Sequence, residues 1–403
     1  MSRSAERSQL LTGRFLQPRI PAFWLYVIVV AVTGVVAIGE QSLFRQMSPG
    51  GWALSWALVA VYAGPIAIVV YVLDLYEREP VPLLLASFVW GAVAASTLAA
   101  IGNAGWGLVV ARLGGPEFAA RWAPAITGPL VEETLKAIGV VLIVLIARDE
   151  VDDLMDGFVY GALCGLGFAV VEDVFYFVSV FGGDLRGVLQ GFFVRVIASG
   201  LYSHVLYTGL VGMAIAVLTT RRDPRPVRDR LRLAAILGGA AVFGHFLWNS
   251  PLLEFFPARP WEGVEWLVIP LATAVKGLPL LLFVILALRL AHERERRWLR
   301  QALLSEIANG TITPEDEAIL ESPRLRRLAR RALQRRAGPG AARLLRRLQR
   351  EQLNLAMIRS KVANDGDPAL LRQQAICRSL RGALEAVPAA APASGFAPPP
   401  PVG

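Results

Sequence analysis

From its N-terminus the chain repeats one pattern: a run of residues almost free of charge, a short polar stretch, then another apolar run. An α-helix needs roughly 20 mostly apolar residues to cross the hydrocarbon core of a bilayer. Runs of that kind occupy 22–39, 52–73, 82–102, 129–147, 157–180, 197–218, 233–253 and 266–290. They predict an all-α, polytopic membrane bundle of about eight transmembrane helices. Beyond residue 290 the chain becomes polar and Arg-rich while keeping helical spacing. Leu344, Leu348, Leu355, Ile358 and Val362 fall on one face, with Arg343, Arg346, Arg347 and Arg350 between them. Breaks are expected at Asn309 and Gly310, at 338–340 and at 365–368. The expected organisation is a basic arm over 1–21, a transmembrane domain over 22–290, a helical Arg-rich tail over 291–385 and a disordered Pro/Ala-rich end over 386–403.

Composition agrees with this reading. The 403 residues are 55% hydrophobic and 18% charged, which excludes an ordinary soluble globule. The first apolar run is too long for the core of a signal peptide and reads as a retained anchor. Net charge is +9, and residues 291–385 alone carry an excess of nine basic over acidic groups. The loop 219–232 is also rich in Arg. The positive-inside rule then puts both termini in the cytoplasm of a multi-pass protein of the cell (inner) membrane. Cys164 lies inside an apolar run and Cys377 in the tail, so the cysteines form neither a disulfide framework nor a CxxC motif.

The candidate chemistry lies where the apolar pattern fails. An ionisable side chain within a span costs about 3 kcal/mol and needs a partner, water or a function. The fourth run holds Glu132, Glu133 and Lys136, the fifth Glu172 and Asp173, the sixth His204, and the seventh His245 and Asn249. With alternating orientations, and a rise of about 1.5 Å per residue, all fall in the outer half of the bilayer. That predicts one shared polar cavity. Glu132 and Lys136 are spaced for a same-face pair, and Glu133 points roughly 100° away. His245 and Asn249 share a face, so the amide is placed to orient the imidazole or to donate to an oxyanion. Gluing helices together requires fewer ionisable groups than this set contains. Lys276 stands apart as a structural or snorkelling residue. Trp52, Trp56, Trp261 and Trp266 read as interfacial anchors.

Four segments carry a resemblance: EETLK from Glu132, DGFVYGALCGLGFAVVEDVFY from Asp156, RVIASGLYSHVLYTGLVG from Arg195 and HFLWN from His245. In this order they resemble the motifs of the PrsW family of intramembrane proteases, within the CAAX-protease-like superfamily. The resemblance implies an endopeptidase acting on a membrane-anchored protein, in some members an anti-sigma factor cut on its extracytoplasmic side. It implies Glu132, Glu133, Glu172, His204 and His245 as catalytic residues, with Lys136, Asp173 and Asn249 in support. One departure is visible, since the second motif usually ends Glu-Asn and here reads Glu172-Asp173.

Two mechanisms stay open. In one, Glu133 or Glu172 activates water without a metal, and His204, His245 and Asn249 stabilise the intermediate. In the other, His204, His245 and Glu172 or another Glu hold Zn2+. The absence of HExxH tilts the reading toward no cofactor. A proton-coupled transporter is the rival function, since it too places Glu and His in a bundle core. The Arg-rich tail suits anionic lipid or a cytoplasmic partner better than nucleic acid.

Overall fold

The computed structural model describes residues 15–76, 79–148, 150–198, 204–220, 225–253, 265–362 and 364–387. Their regular elements are all helical. In order they are α1 (Pro21–Met47), α2 (Pro49–Leu73), α3 (Val81–Gly114), α4 (Pro116–Ile146), α5 (Leu154–Val180), α6 (Leu185–Phe192), α7 (His204–Thr219), α8 (Val227–Asn249), α9 (Glu265–Ala308), α10 (Pro314–Leu320), α11 (Pro323–Lys361) and α12 (Pro368–Glu385). Many begin on proline, whose missing N–H costs nothing in a first turn. A capping box starts α5: Asp153 accepts from the backbone of Met155 and Asp156, and Asp156 accepts from the Asp153 backbone in return. Three π-helical stretches interrupt or extend the bundle, at Trp90–Ala95 within α3, Tyr176–Val180 at the end of α5 and Phe193–Ala198 after α6.

The fold is an all-α polytopic bundle. Six described helices, α1, α2, α3, α5, α8 and α9, are long and apolar enough to cross a membrane. Two of the eight expected crossings, α4 and α7, fall outside that count. The α4 helix carries Glu132, Glu133 and Lys136, and α7 has 16 described residues. The fourth run was expected to start at Pro129, but α4 starts at Pro116 and continues through Pro124 and Pro129. Buried Ala119, Ala125 and Gly128 pack this extension into its surroundings, so tertiary contact overrides the proline signal.

The chain divides into two units, one made of Met1–Asp74 with Arg78–Ala291 and the other of Leu75–Glu77 with His292–Gly403. In the first unit α5 lies at the centre and buries almost every side chain from Leu154 to Val170. Its Gly157, Gly161 and Gly165, four residues apart, form the seam with α7. A Cβ on Gly161 would lie 2.1 Å from the Thr208 carbonyl oxygen, and one on Gly165 would lie 2.2 Å from that of His204. Only glycine admits a backbone this close. Ile28, Val32, Val35 and Ile38 of α1 and Leu282, Leu286 and Leu290 of α9 are exposed, as a lipid-facing surface requires.

Trp52 and Trp56 both donate to Gln41 Oε1, at 2.9 and 3.0 Å. Trp261 and the side chain of Trp266 lie outside the described residues, as do most of the N-terminal arm and nearly all of the Pro/Ala-rich end. Lys276 Nζ donates to the carbonyls of Trp248 and Ser250 at 3.2 and 2.6 Å, a structural role at the C-terminus of α8.

The second unit has its own core of Leu299, Leu303, Ile312, Leu320, Leu355, Leu370 and Cys377. Gly310 and Gly338 take positive φ, and the latter breaks α11 in two. Tyr76 Oη donates to the Glu321 carbonyl at 2.8 Å and Arg326 Nη2 to that of Leu75 at 2.6 Å, so these two residues belong with the tail.

Candidate functional site

Glu132, Glu133, His204 and His245 meet inside the first unit. Each offers a ligand atom, and those atoms lie within 4.8 Å of one another. All four residues are buried. Lys136, at 0% exposure, sits among them. Its Nζ is 2.8 Å from Glu133 Oε1, 3.4 Å from Glu132 Oε2 and 2.9 Å from His204 Nδ1. Lys136 thus holds both acids, and its shorter contact is to Glu133 rather than to the expected Glu132. The face of Phe168 lies 3.8 Å from the ammonium.

The two acids differ in their surroundings. Both oxygens of Glu133 are engaged, Oε1 by Lys136 and by His245 Nδ1 at 3.1 Å, and Oε2 by the Thr208 hydroxyl at 2.9 Å. Glu132 instead faces a cavity of about 540 Å³, where Asn103 Nδ2 donates to its Oε1 at 3.0 Å. Glu172, His204, Asn249, Tyr176 and Arg195 line the same cavity. Neither Glu133 nor His245 reaches that lining, so each is held behind it.

Glu172 is not part of the close cluster. Its Oε2 accepts from Arg195 Nη2 at 2.7 Å and meets His204 Nε2 at 2.9 Å. Because an ammonium has no lone pair to offer, Nδ1 of a neutral His204 accepts from Lys136, and its Nε2–H donates to Glu172. Glu172 therefore orients the imidazole from behind, in the manner of a carboxylate supporting a metal-binding or catalytic histidine. Of the expected set His204, His245 and Glu172, the two imidazoles cluster with Glu132 and Glu133, and Glu172 meets His204 through its other ring nitrogen.

Asp173 points away from that group. Its Oδ1 accepts from Arg195 Nε at 2.6 Å and its Oδ2 from Tyr62 Oη at 2.5 Å. Arg195 thus spans the two consecutive acids, with its guanidinium 3.9 Å from the Tyr176 ring centre. Asn249 does not bond His245, since its Nδ2 donates to the Pro124 carbonyl at 3.2 Å. The His245 ring stacks on Tyr207 instead, at 4.7 Å and 7° between planes. Gly128 lies where Asn249, Glu132 and His245 converge, and a Cβ there would be 2.9 Å from Asn249 Nδ2.

The expected list omitted Asn103, Arg195, Tyr207, Thr208 and Tyr62. Arg195, Tyr207 and Thr208 lie within a quoted motif. Thr208 also follows His204 by four residues, one turn along the same face. Arg195 was passed over because the apolar run begins two residues after it. Asn103 and Tyr62 carry no local signal.

The donor types suit a divalent cation, for which Lys136 Nζ, within 3.4 Å of Glu132, Glu133 and His204, would have to move aside. Two carboxylates and two imidazoles are the ligand types that such an ion takes.

The family described as PrsW family intramembrane metalloprotease matches residues 79–288, more than half of the chain. Protease PrsW of Bacillus subtilis (strain 168) is 32% identical over 109 residues, which are 27% of this chain and 47% of that protein. The chain thus spans about half the length of this curated relative. No solved structure matches. The helices that carry the clustered acids and imidazoles, α4, α7 and α8, lie within the matched interval, and the chain belongs to the PrsW family of intramembrane metalloproteases.

Proposed function

We propose that this protein is a membrane-embedded endopeptidase that hydrolyses a peptide bond of a membrane-anchored protein, such as an anti-sigma factor, close to the outer face. The observation that carries the reading is the cavity lined by Glu132, Glu172 and His204, with His245 and Glu133 buried behind it. With both termini read as cytoplasmic from the positive-inside rule, the ends of α5 and α8 that carry Glu172 and His245 would lie toward the opposite face.

In this mechanism Glu132 is the general base, because it lines the cavity and Glu133 does not. It accepts the proton of the attacking water and delivers it to the leaving amine. With Lys136 withdrawn from His204 Nδ1 and Glu133, the residues His204, His245 and Glu133 would hold a divalent cation, and the ion would supply Lewis-acid polarisation of the scissile carbonyl. Glu172 fixes the tautomer of His204, and Tyr207 fixes the plane of His245. The Asn249 amide, on the cavity wall, donates to the developing oxyanion. The contact of Lys136 with His204 Nδ1 favours a second version without metal, in which the ammonium supplies the positive charge.

The test combines metal analysis with cleavage of a membrane-anchored reporter by purified wild type, Glu132→Gln and His245→Ala. The proposed version expects about one bound divalent ion in wild type, its loss in His245→Ala and loss of cleavage in both variants. Wild-type cleavage with no bound metal selects the second version. Full cleavage by Glu132→Gln rejects its role as base.

A further inference from the structure

The cavity contains one charged group that the proposed chemistry leaves unused. Glu40, on α1, lines it beside Glu172, Arg195 and Tyr176. It lies outside the interval that matches the family, directly after the apolar run 22–39 of α1. That places it where the apolar part of α1 gives way to the polar stretch that ends at Met47.

The other charged residues lining the cavity have fixed partners. Glu132 has Asn103 and Lys136, Glu172 has Arg195 and His204, and Arg195 has Glu172 and Asp173. Among the described residues Glu40 makes no hydrogen bond and no ion pair, although it is half-buried. A half-buried carboxylate at the end of an apolar run, with no partner, leaves its charge unbalanced on the cavity wall. A cation brought by the ligand would offset it.

We infer that Glu40 is a recognition subsite for the side-chain ammonium or guanidinium of a Lys or Arg on the membrane-anchored substrate. Such side chains bury their methylene stems and direct the charged head toward the interface, which matches the place of Glu40 between apolar α1 and the polar cavity. The peptide beside that Lys or Arg then enters the 540 Å³ cavity, where Glu132 faces it. This inference rests on the peptidase reading for the ligand's identity, and its test separates the two.

The probes are three fluorescent synthetic transmembrane peptides with Leu/Ala cores, differing only in a Lys, Gln or Glu about two turns from the outer end. Binding and cleavage are measured with full-length wild type, Glu40→Gln and Glu40→Lys in nanodiscs, with thermal unfolding as a check on folding. Wild type is expected to bind the Lys peptide about tenfold more tightly than the Gln peptide, and the Glu peptide least. Glu40→Gln should flatten the ranking and Glu40→Lys should invert it. Wild type that binds none of the peptides, or shows no charge ranking, overturns the subsite, as does a ranking that both folded variants keep. Cleavage without charge preference would remove the subsite and leave the peptidase, whereas Lys-selective binding without cleavage would do the reverse.

Discussion

Arg195 Nε donates to Asp173 Oδ1 at 2.6 Å, and this contact accounts for an acid where the motif usually has an amide. Asp173 only accepts hydrogen bonds, from Arg195 and from Tyr62. Its charge balances a guanidinium that Glu172 alone would have to share with His204. Asp173→Ala is expected to destabilise the protein by about 3 kcal/mol, the low end for breaking a buried pair, because Arg195 keeps Glu172. Asp173→Asn should cost less, since an amide oxygen still accepts. A double-mutant cycle of Asp173→Ala with Arg195→Ala, read by thermal unfolding in detergent, should show coupling of about 1 kcal/mol or more.

Glu132 and Glu133 are neighbours with different duties, and their amides should behave differently. If Glu132 is the base, Glu132→Gln should lower kcat by about 10² to 10⁴ and cost less stability than Glu133→Gln, since Lys136 keeps its shorter contact to Glu133 and an amide oxygen still accepts from Asn103. Glu133→Gln should lower activity and also stability by about 3 kcal/mol, because a fully buried ammonium loses its shortest carboxylate contact. Equal unfolding temperatures for the two variants would contradict this division.

Packing along the α5–α7 seam should tolerate no added side chain. At Gly161 a Cβ would meet the Thr208 carbonyl at 2.1 Å, so Gly161→Val forces two helices apart. The expected cost is about 3 kcal/mol or more, with loss of activity because His204 and Thr208 ride on the displaced helix. Gly105→Val, where a Cβ meets nothing within 4 Å, is the control and should unfold like wild type.

In the second unit, burial pushes the Cys377 thiol up to about 12, with Glu351 and Glu306 adding to the effect. The reactive thiolate is therefore scarce at pH 8, and raising the pH toward 12 restores it. Alkylation followed by mass spectrometry should find Cys377 unmodified in folded protein at pH 8 and fully modified in denaturant. Rapid labelling without denaturant would show that the core of Leu299, Leu355 and Leu370 is open.

The sequence by itself determined the membrane class and most of the polar residues that meet. Apolar length is a local property, since the backbone in hydrocarbon must bond to itself within each span. Each ionisable residue in a span is likewise visible one helix at a time, as Glu132, Glu133, Lys136, Glu172, His204 and His245 were. Proline misled at Pro129 because its local preference yields to packing. Only the tertiary structure decided which nitrogen of His204 meets Lys136 and which meets Glu172, that Glu132 rather than Glu133 faces the cavity, that Asn103 and Glu40 reach it from α3 and α1, and that Tyr62 of α2 donates to Asp173. Those facts depend on helix rotation and crossing, which are set where glycines let backbones touch, between residues far apart in the chain.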